Sequence, residues 1–327
     1  MRKLLSVAAF AAVTALALPA AAQSYNLTLA GASPGGLWSL LGAGIDGAVK
    51  QAYPGSTVTY QTSGGGFANI AVLQRDEAEL GIVHDAELLV AKNGGEPFSE
   101  PIEDMRVISY LYTWAPMHFL IRKDFAEEHG IESFSDLAEK QAPARIAINK
   151  QGNIAAPVAV NMLSHLGITE EQLEDWGGDL IYAASGEQTN LMQDRRVDVI
   201  LNSLFVNHRS INQAAEAVDL LLLPVSAEVT EATNADMGTQ TFTIPGGSYG
   251  FQPDDVVMPS LGAALVVRAD MSEEDAYNLT KALFENYEAL ANVHKAMNAL
   301  TPEIMASQKV VPYHDGAKKY LEEAGLM

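Results

Sequence analysis

Short apolar strands alternate with amphipathic helical segments along most of the chain. Residues 25–30 and 57–61 alternate apolar and polar side chains, as half-buried strands do, and residues 80–83 form a third short apolar run. Between the first two strands, apolar residues recur at helical spacing at Leu37, Leu40, Leu41, Ile45, Ala48, Val49 and Ala52. A second helix is predicted around Phe67 and Ile70. Strands that alternate with helices predict an α/β fold with mostly parallel sheets.

A second run of the same alternation covers residues 145–201. Strands are predicted at residues 145–148, 180–184 and 197–201, with a helix between each pair. The first of these helices ends at Gly167, because glycine adopts the left-handed backbone that often follows a helix. This second run predicts a second α/β lobe.

The remaining elements are less regular. Three further strands are predicted, at residues 117–121, 220–225 and 263–268. A helix is predicted to begin at residues 134–137, with Ser133 or Ser135 as its cap. Residues 226–260 are rich in Thr, Gly, Pro and Asp, and we expect them to form the longest irregular segment. Ser272 and the acidic residues after it are typical of a capped helix start.

The first 22 residues have the order of a secretory signal peptide. Residues 1–3 (Met-Arg-Lys) are basic at the start, residues 4–18 are apolar, and residues 20–22 (Ala-Ala-Ala) form a small-residue cleavage signal. We expect cleavage after about Ala22, which would leave Gln23 as the new N-terminus in the periplasm. The alternative is an N-terminal anchor helix, but the apolar run is shorter than the ~20 residues that a bilayer span needs.

The chain contains no cysteine, and its formal net charge is −21 at pH 7. An exported chain without disulfides fits a bacterial periplasmic protein that is stabilised by its apolar cores. The absence of cysteine excludes thiolate catalysis, zinc sites with cysteine ligands and iron–sulfur clusters. The negative charge argues against nucleic acid and anionic membrane surfaces as partners, because both attract basic patches. After the N-terminal segment no stretch is apolar enough for membrane insertion.

Three polar turns join a predicted strand to a predicted helix, at residues 31–36, 62–66 and 149–153. In an open α/β sheet such turns lie at the carboxyl edge of the strands, where ligands bind. Free backbone N–H groups and the positive end of the helix macrodipole favour an anion there. Each turn taken alone is also explained as an ordinary helix cap, and this alternative stays open. Three such turns in two lobes together indicate a ligand site.

We expect an anionic ligand that contacts both lobes. Hydroxyl, amide and ammonium groups would donate hydrogen bonds to its acidic groups, and aromatic side chains would form the apolar wall of the pocket. The predicted ligand-contacting residues are Ser33, Gly36, Trp38, Ser63, Gly64, Gly65, Gly66, Phe67, Asn69, His84, Lys150, Gln151, Asn153, Asn202, Phe205 and Asn207.

Some segments match the residue pattern of an enzyme motif, but their predicted structural surroundings do not fit it. Residues 31–35 match G-x-S-x-G, but Pro34 has no N–H to give to an oxyanion hole, and residues 246–250 match without a following helix. Residues 42–47 spell G-x-G-x-x-G inside a predicted helix, where no dinucleotide can bind. The seven histidines lack zinc spacing, so we expect no metal and no cofactor. His84 alone stands out, because it ends a strand at the edge of the three turns.

These turns resemble those of the TAXI family, the solute receptors of one class of TRAP transporters. The resemblance begins with Gly31-Ala32-Ser33-Pro34-Gly35-Gly36-Leu37-Trp38, which is similar to the opening loop of that family. Similar segments follow in the same order at residues 62–70, 79–85 with 93–94, 111–120, 245–249, 267–270, 279–286 and 312–317. The likeness covers nearly the whole chain after residue 22, and its specificity comes from the ordered set.

The resemblance implies a type II periplasmic-binding fold, in which two α/β lobes are joined by two hinge strands and close on a ligand. It implies hinge strands at residues 117–123 and 261–269, a lobe 1 of residues 23–116 plus 262–327, and a lobe 2 of residues 117–261. It further implies a small carboxylate ligand (a dicarboxylate, keto acid or acidic amino acid) and a sodium-coupled TRAP permease as membrane partner. The chain would then be a monomeric receptor without enzymatic activity.

The third turn departs from the family pattern, which has mostly small residues there. Residues 149–155 are Asn-Lys-Gln-Gly-Asn-Ile-Ala and include one cation, Lys150. Lys150 is either the counter-ion of a ligand carboxylate or a solvated loop lysine. Two other functions remain as alternatives: a receptor that serves a sensor kinase, and a secreted hydrolase, which Pro34 disfavours.

Overall fold

The computed structural model describes residues 23–32, 34 and 36–327, so the predicted signal peptide and Ser33 lie outside the described residues. The strands in the described part are β1 (Asn26–Ala30), β2 (Thr57–Gln61), β3 (Leu80–His84), β4 (Met105–Arg122), β5 (Arg145–Ile148), β6 (Asp179–Tyr182), β7 (Val199–Ser203), β8 (Leu220–Leu222), β9 (Gln240–Ile244) and β10 (Val256–Arg268). The helices are α1 (Leu37–Ala52), α2 (Gly66–Gln74), α3 (Asp85–Asn93), α4 (Lys123–His129), α5 (Asp136–Glu139), α6 (Ala155–Ser164), α7 (Glu170–Asp175), α8 (Ser185–Gln193), α9 (Arg209–Ala215), α10 (Ala227–Met237), α11 (Glu273–Glu285), α12 (Glu288–Ala291), α13 (Pro302–Met305) and α14 (Asp315–Glu323), with one 3-10 turn at Lys295–Met297.

The strands form two parallel groups that are joined by two long antiparallel strands. The order is β2-β1-β3-β10-β4-β7-β5-β6, with β8 beside β4 and β9 beside β10. β1, β2 and β3 are parallel to one another, and so are β5, β6 and β7. We call the half with β1–β3 lobe 1 and the half with β5–β7 lobe 2. The fold is therefore the two-lobed α/β fold of periplasmic binding proteins, and its parallel groups confirm the prediction.

Apolar spacing explains which faces of the helices and strands are buried in the core. In α1, Leu41, Ile45 and Val49 recur every four residues and are at most 1 % exposed, so that face of the helix is buried. β3 lies between β1 and β10, and its first four residues are buried, as expected of a central strand. Burial of each large aliphatic side chain stabilises the fold by roughly 1.5–3 kcal/mol.

The two long strands, β4 and β10, carry the chain from one lobe to the other. β4 pairs with β10 up to Pro116, and from Met117 onward it pairs with β7. The register between β4 and β10 is irregular around Gly262. A β-carbon at Gly262 would lie 2.0 Å from the Tyr110 hydroxyl oxygen, so only glycine fits this close approach. Ser260 then donates to the Thr113 carbonyl at 2.7 Å, which holds the irregular segment.

Several predicted elements differ from the structure. β4 begins at Met105 and β10 at Val256, so both are much longer than the expected hinge strands. Residues 226–260 are not irregular, because they contain α10, β9 and the start of β10. The Ser226 hydroxyl caps α10 by accepting from the Val229 N–H at 3.2 Å. Thr and Ser in this segment therefore serve as strand and cap residues. The prediction of an irregular segment was wrong because it used composition alone.

The helix predicted at residues 134–137 is a single turn that begins at Asp136. Ser135 makes no side-chain cap, and the Ser133 hydroxyl instead donates to the Asp136 carboxylate at 2.9 Å. By contrast, Ser272 caps α11 as predicted, since its hydroxyl accepts from the Asp275 N–H at 3.0 Å. Among the described helices, none is long and apolar enough to cross a bilayer.

Candidate functional site

A cleft of about 920 Å³ opens between the two lobes. On the lobe 1 side it is lined by Gly36, Leu37 and Leu40 at the start of α1 and by residues 294–296. On the lobe 2 side it is lined by residues 205–208, which follow β7, and by α9. The start of α1 and the segment after β7 both follow the carboxyl ends of parallel strands. The cleft therefore lies at the edge where α/β folds bind ligands.

Three predicted ligand contacts, Gly36, Phe205 and Asn207, line this cleft together. Phe205 also touches an aromatic group behind it, because its ring centroid lies 5.1 Å from that of Tyr112. The Tyr112 hydroxyl accepts from the Trp38 indole N–H at 3.0 Å and lies 3.4 Å from His84 Nε2. Trp38 and His84 pack with their ring centroids 4.8 Å apart. The structure thus joins Trp38, His84 and Phe205 around Tyr112.

Sheet register explains this meeting. Tyr112 on β4 and His84 at the end of β3 both pair with Ala263 of β10, one on each side. Burial raises the pKa of Tyr112, so its hydroxyl stays protonated and is available as a donor to His84 Nε2. The other nitrogen of the His84 imidazole, Nδ1, lies 3.0 Å from a carboxylate oxygen of Glu87. The imidazole is therefore fixed between a phenol and a carboxylate.

Glu87 takes the position beside the start of α2 where we expected a ligand anion. Its side chain is buried, and its carboxylate accepts from the His84 N–H at 2.9 Å. A β-carbon at Gly66 would lie only 1.7 Å from Glu87 Oε2, so the carboxylate rests against the first residue of the helix. The negative charge that the helix end favours is thus supplied by the protein itself.

Ser63 and Asn69 hold the lobe 1 turns together. The Ser63 hydroxyl lies 2.7 Å from the Gly31 carbonyl, accepts from the Gly65 N–H at 3.1 Å and touches the Asn69 side-chain oxygen. Asn69 is fully buried and donates to the Ile82 carbonyl at 2.7 Å. These bonds join the turns after β1 and β2 to β3, and they use polar groups that we expected to meet the ligand.

The other predicted residues of this turn lie away from the cleft lining. Gly64 is exposed, and Gly65 has a φ of 113°, a conformation that glycine adopts readily. Phe67 was expected in the ligand wall, but its ring packs against Phe98 with centroids 5.9 Å apart. This contact ties α2 to the segment after α3.

The carboxyl edge of lobe 2 carries a buried network of neutral amides. Asn202 accepts from the Asn149 amide at 3.1 Å, and its own amide donates to Gln188 at 2.9 Å and to Ser185 at 3.1 Å. Gln188 in turn donates to the Ala183 carbonyl at 2.9 Å. Asn202 is fully buried, so this predicted ligand contact joins β5, β7 and α8 from within.

The third turn presents its side chains outside the cleft lining. The Lys150 N–H donates to the Asn149 side chain at 2.8 Å, and the side chains of Lys150 and Gln151 are exposed. Asn153 accepts from the Ala155 N–H at 3.0 Å, so it stabilises the start of α6. Within the described chain, Lys150 forms no ion pair.

Asn207 is held by a hydrogen-bond chain that sequence reasoning missed. Its N–H donates to the Tyr249 hydroxyl at 3.0 Å, and that hydroxyl donates to His118 Nε2 at 2.9 Å. His118 Nδ1 donates to the Pro116 carbonyl at 2.9 Å, which fixes the tautomer. Burial lowers the pKa of His118 to about 4, so the ring is neutral at pH 7. Asn207 itself has a left-handed backbone with φ of 63°.

A buried carboxylate, Asp85, lies directly behind the aromatic group. It accepts from the Gly262 N–H at 2.9 Å, from the Ala86 N–H at 2.9 Å and from the Tyr110 hydroxyl. Tyr110 also accepts from Gln240 of β9 at 2.8 Å. Burial raises the pKa of Asp85 to about 7, against the opposing effect of these donors. The network links the end of β3 to both long strands and to β9.

Some of the site residues that we did not predict had a recognisable signal in the sequence, and others had none. Glu87 lies three residues after His84 at a strand–helix junction, which is the spacing of a capping carboxylate and was a usable signal. Tyr249 lies in the segment that we expected to be irregular, and only the family resemblance at residues 245–249 included it. His208 and His294 each precede a basic residue, but no local pattern shows that they share a cleft.

Solved structures with the same fold support this architecture. A TctC solute-binding protein from Polaromonas is 14% identical with a TM-score of 0.55, over 93% of this chain and 98% of that chain. MatC from Rhodopseudomonas palustris, with bound malate, is 15% identical with a TM-score of 0.53, over 92% and 97%. PhnD1 from Prochlorococcus marinus, in complex with methylphosphonate, is 9% identical with a TM-score of 0.54, over 93% and 99%. No curated protein sequence matches the chain.

The family assignment comes from the sequence itself. The model of the NMT1-like family matches residues 29–325, which span both lobes, the two long strands and the cleft between them. The match is to this wider family, and it does not separate out the TAXI receptors. With its two-lobed fold and its cleft at the carboxyl edges, this chain belongs to the NMT1-like family.

Proposed function

We propose that this protein is a periplasmic solute receptor that binds a small carboxylate between its lobes and delivers it to a sodium-coupled TRAP permease, as a TAXI-type receptor would. The observation that carries the proposal is the cleft of about 920 Å³ at the carboxyl edges of both lobes. Such a volume accommodates a small metabolite with its water. No covalent chemistry is required, because binding and release suffice for a transport receptor.

Closure about the long strands is the expected response to ligand. We assign residues 23–116 plus 262–327 to lobe 1 and residues 117–261 to lobe 2, because β4 changes partner between Pro116 and Met117. The ligand would shift the population toward the closed form by its preference for that form. The permease would then recognise the closed shape. Removal of the signal peptide after about Ala22 is part of the same proposal.

Malate in MatC supports a carboxylate, since malate is a small dicarboxylate. Methylphosphonate in PhnD1 is another small anion held by the same fold. Hydrogen bonds from charged or polar donors to an anion contribute about 1.5–3 kcal/mol each, and micromolar affinity corresponds to about 8 kcal/mol. Several such bonds plus apolar contacts in the cleft would suffice.

Thermal unfolding of the purified chain against a carboxylate panel tests the proposal. At least one of malate, succinate, 2-oxoglutarate, glutamate or pyruvate should raise Tm, because a ligand that binds the folded state alone stabilises it. Binding should also change tryptophan fluorescence, since Trp38 lies behind the cleft and bonds to Tyr112. Trp176 lies on lobe 2 outside the cleft lining, and a Trp176→Phe variant should keep the signal. No shift with any carboxylate, but a shift with an uncharged solute, would overturn the proposal.

A further inference from the structure

Basic side chains gather at the cleft although the chain as a whole is acidic. The sequence has 41 acidic residues against 20 lysines and arginines. The cleft lining nevertheless includes Arg209, Lys295, His208 and His294, with Glu216 as its one acidic residue among those described. If the cleft lining had the composition of the whole chain, it would contain about twice as many acidic as basic side chains. The cleft therefore has a local excess of positive charge where a solute would enter.

The two permanent cations come from opposite sides of the cleft. Arg209 is the first residue of α9 in lobe 2. Lys295 begins the 3-10 turn that follows α12, and α12 packs on α1 in lobe 1. Both side chains are exposed. Among the described residues, neither has an ion-pair partner. Unlike the surface lysines and arginines that pair with nearby carboxylates, these two stay available to a ligand.

The two histidines are oriented as donors by the backbone. His208 Nδ1 accepts from the Ser210 N–H at 3.2 Å, and His294 Nδ1 accepts from the Ala296 N–H at 3.1 Å. In its neutral form each ring therefore carries its proton on Nε2. Burial, together with the nearby positive charge of Arg209, lowers the pKa of His208. His208 is thus a neutral N–H donor beside the Arg209 cation, and the pair suits an acidic oxygen.

We infer that Arg209 of lobe 2 and Lys295 of lobe 1 are the charge-recognition residues of this receptor, and that they hold an anionic ligand between them. This inference rests on the proposed function and replaces Lys150, which lies outside the cleft lining, as the counter-ion. Without an anion the facing cations repel each other and oppose closure. With an anion between them, each lobe is attracted to the same ligand. Charge recognition and closure are then one event.

Binding measurements on the full mature chain test the assignment. Titration calorimetry with malate, succinate, 2-oxoglutarate, glutamate and pyruvate should give a Kd for wild type that rises with salt. Arg209→Gln and Lys295→Gln should each weaken binding of the best ligand by about tenfold or more, and Arg209→Lys should recover part of the loss. Lys150→Gln is the matched control and should bind as wild type does. Both altered residues are exposed, so each variant should keep the wild-type Tm without ligand.

The outcomes separate the two proposals. If wild type binds a carboxylate and the Arg209 and Lys295 variants bind it equally well, the charge assignment is wrong and the proposed function stands. If Lys150→Gln alone loses affinity, the counter-ion is in the third turn. If wild type binds none of the panel, both proposals fail together. A second measurement needs no ligand: Arg209→Glu should lower the radius of gyration in low salt by attracting Lys295, and Lys150→Glu should not.

Discussion

The carboxyl edges of the two lobes occupy equivalent places in the fold but have opposite chemistry. In lobe 1 the edge consists of ionisable and aromatic side chains: His84 lies between Tyr112 and Glu87, and Asp85 accepts from Tyr110. In lobe 2 it consists of neutral amides, with Asn202 bonded to Asn149 and Gln188. Both sets are largely buried and bonded within the protein.

This difference shows that two residues at equivalent positions in the fold need not have the same function. The α/β topology brings polar residues to both edges, but it does not decide whether they face a ligand or one another. Here the buried edges hold the lobes in shape, and the exposed rim of the cleft remains for recognition. The buried Asp85 carboxyl of lobe 1 should titrate as pH changes, whereas the side-chain amides at the lobe 2 edge do not titrate.

Protonation of Asp85 should give the largest effect. In the folded chain Asp85 keeps its proton up to about pH 7, while in the unfolded chain it releases it near pH 4. Proton uptake therefore favours the folded state: this stabilisation is fully present below about pH 4 and is lost as pH rises through 7. Relative to Asp85→Asn, the free energy of unfolding of wild type should fall by on the order of 4 kcal/mol across this range.

Denaturant unfolding at pH 4.5, 6 and 8 measures this difference. Gly186→Ala changes no ionisable group and should follow the wild-type pH dependence throughout. Parallel curves for wild type and Asp85→Asn would contradict the assignment of this pH response to lobe 1.

Loss of the lobe 2 network should come next in size. Asn202→Ala would leave the Asn149 amide and the Gln188 oxygen buried without a partner, and should lower the free energy of unfolding by about 3 kcal/mol at any pH. Asn190 is exposed on α8, so Asn190→Ala should change stability by less than about 0.5 kcal/mol. If Asn202→Ala lowers the free energy of unfolding no more than Asn190→Ala does, the network does not contribute to stability.

Two glycines at the starts of equivalent helices give the smallest but most direct comparison. Gly66→Ala in lobe 1 would push a methyl group into Glu87 and should cost about 2 kcal/mol. Gly186→Ala in lobe 2 meets nothing within 4 Å and should leave stability unchanged or raise it by up to about 1 kcal/mol. Thermal unfolding of both variants distinguishes them, and a neutral Gly66→Ala would show that Glu87 moves freely.

Regular periodicity made much of the fold predictable. The apolar spacing in α1 and the alternation in β1 and β2 indicated those elements from neighbouring residues alone. The segment at 226–260 was not predictable in this way, because β9 and the start of β10 depend on pairing with each other. The polar residues of β9 and Pro259 in β10 are compatible with a loop until the pairing of the two strands is known.

The site was less predictable than the fold. The three turns are indeed at strand ends, but Ser63, Asn69 and Asn202 bond inside the protein, which no local pattern can reveal. Nearly ninety residues separate Arg209 from Lys295, and their common cleft exists only after both lobes have folded. Sequence indicates which residue types gather at an edge, and only the tertiary contacts tell which remain free.

The hydrogen bond that the Asn207 N–H donates to Tyr249 bears on how ligand preference can diverge. It fixes the backbone that leads into α9, and among the described residues the exposed side chain of Arg209 has no hydrogen-bond or ion-pair partner. A substitution at that position leaves every buried bond in place. Under the proposed role of Arg209, descendants of this protein can acquire a new solute by changing a few exposed side chains while the long strands and the core stay the same.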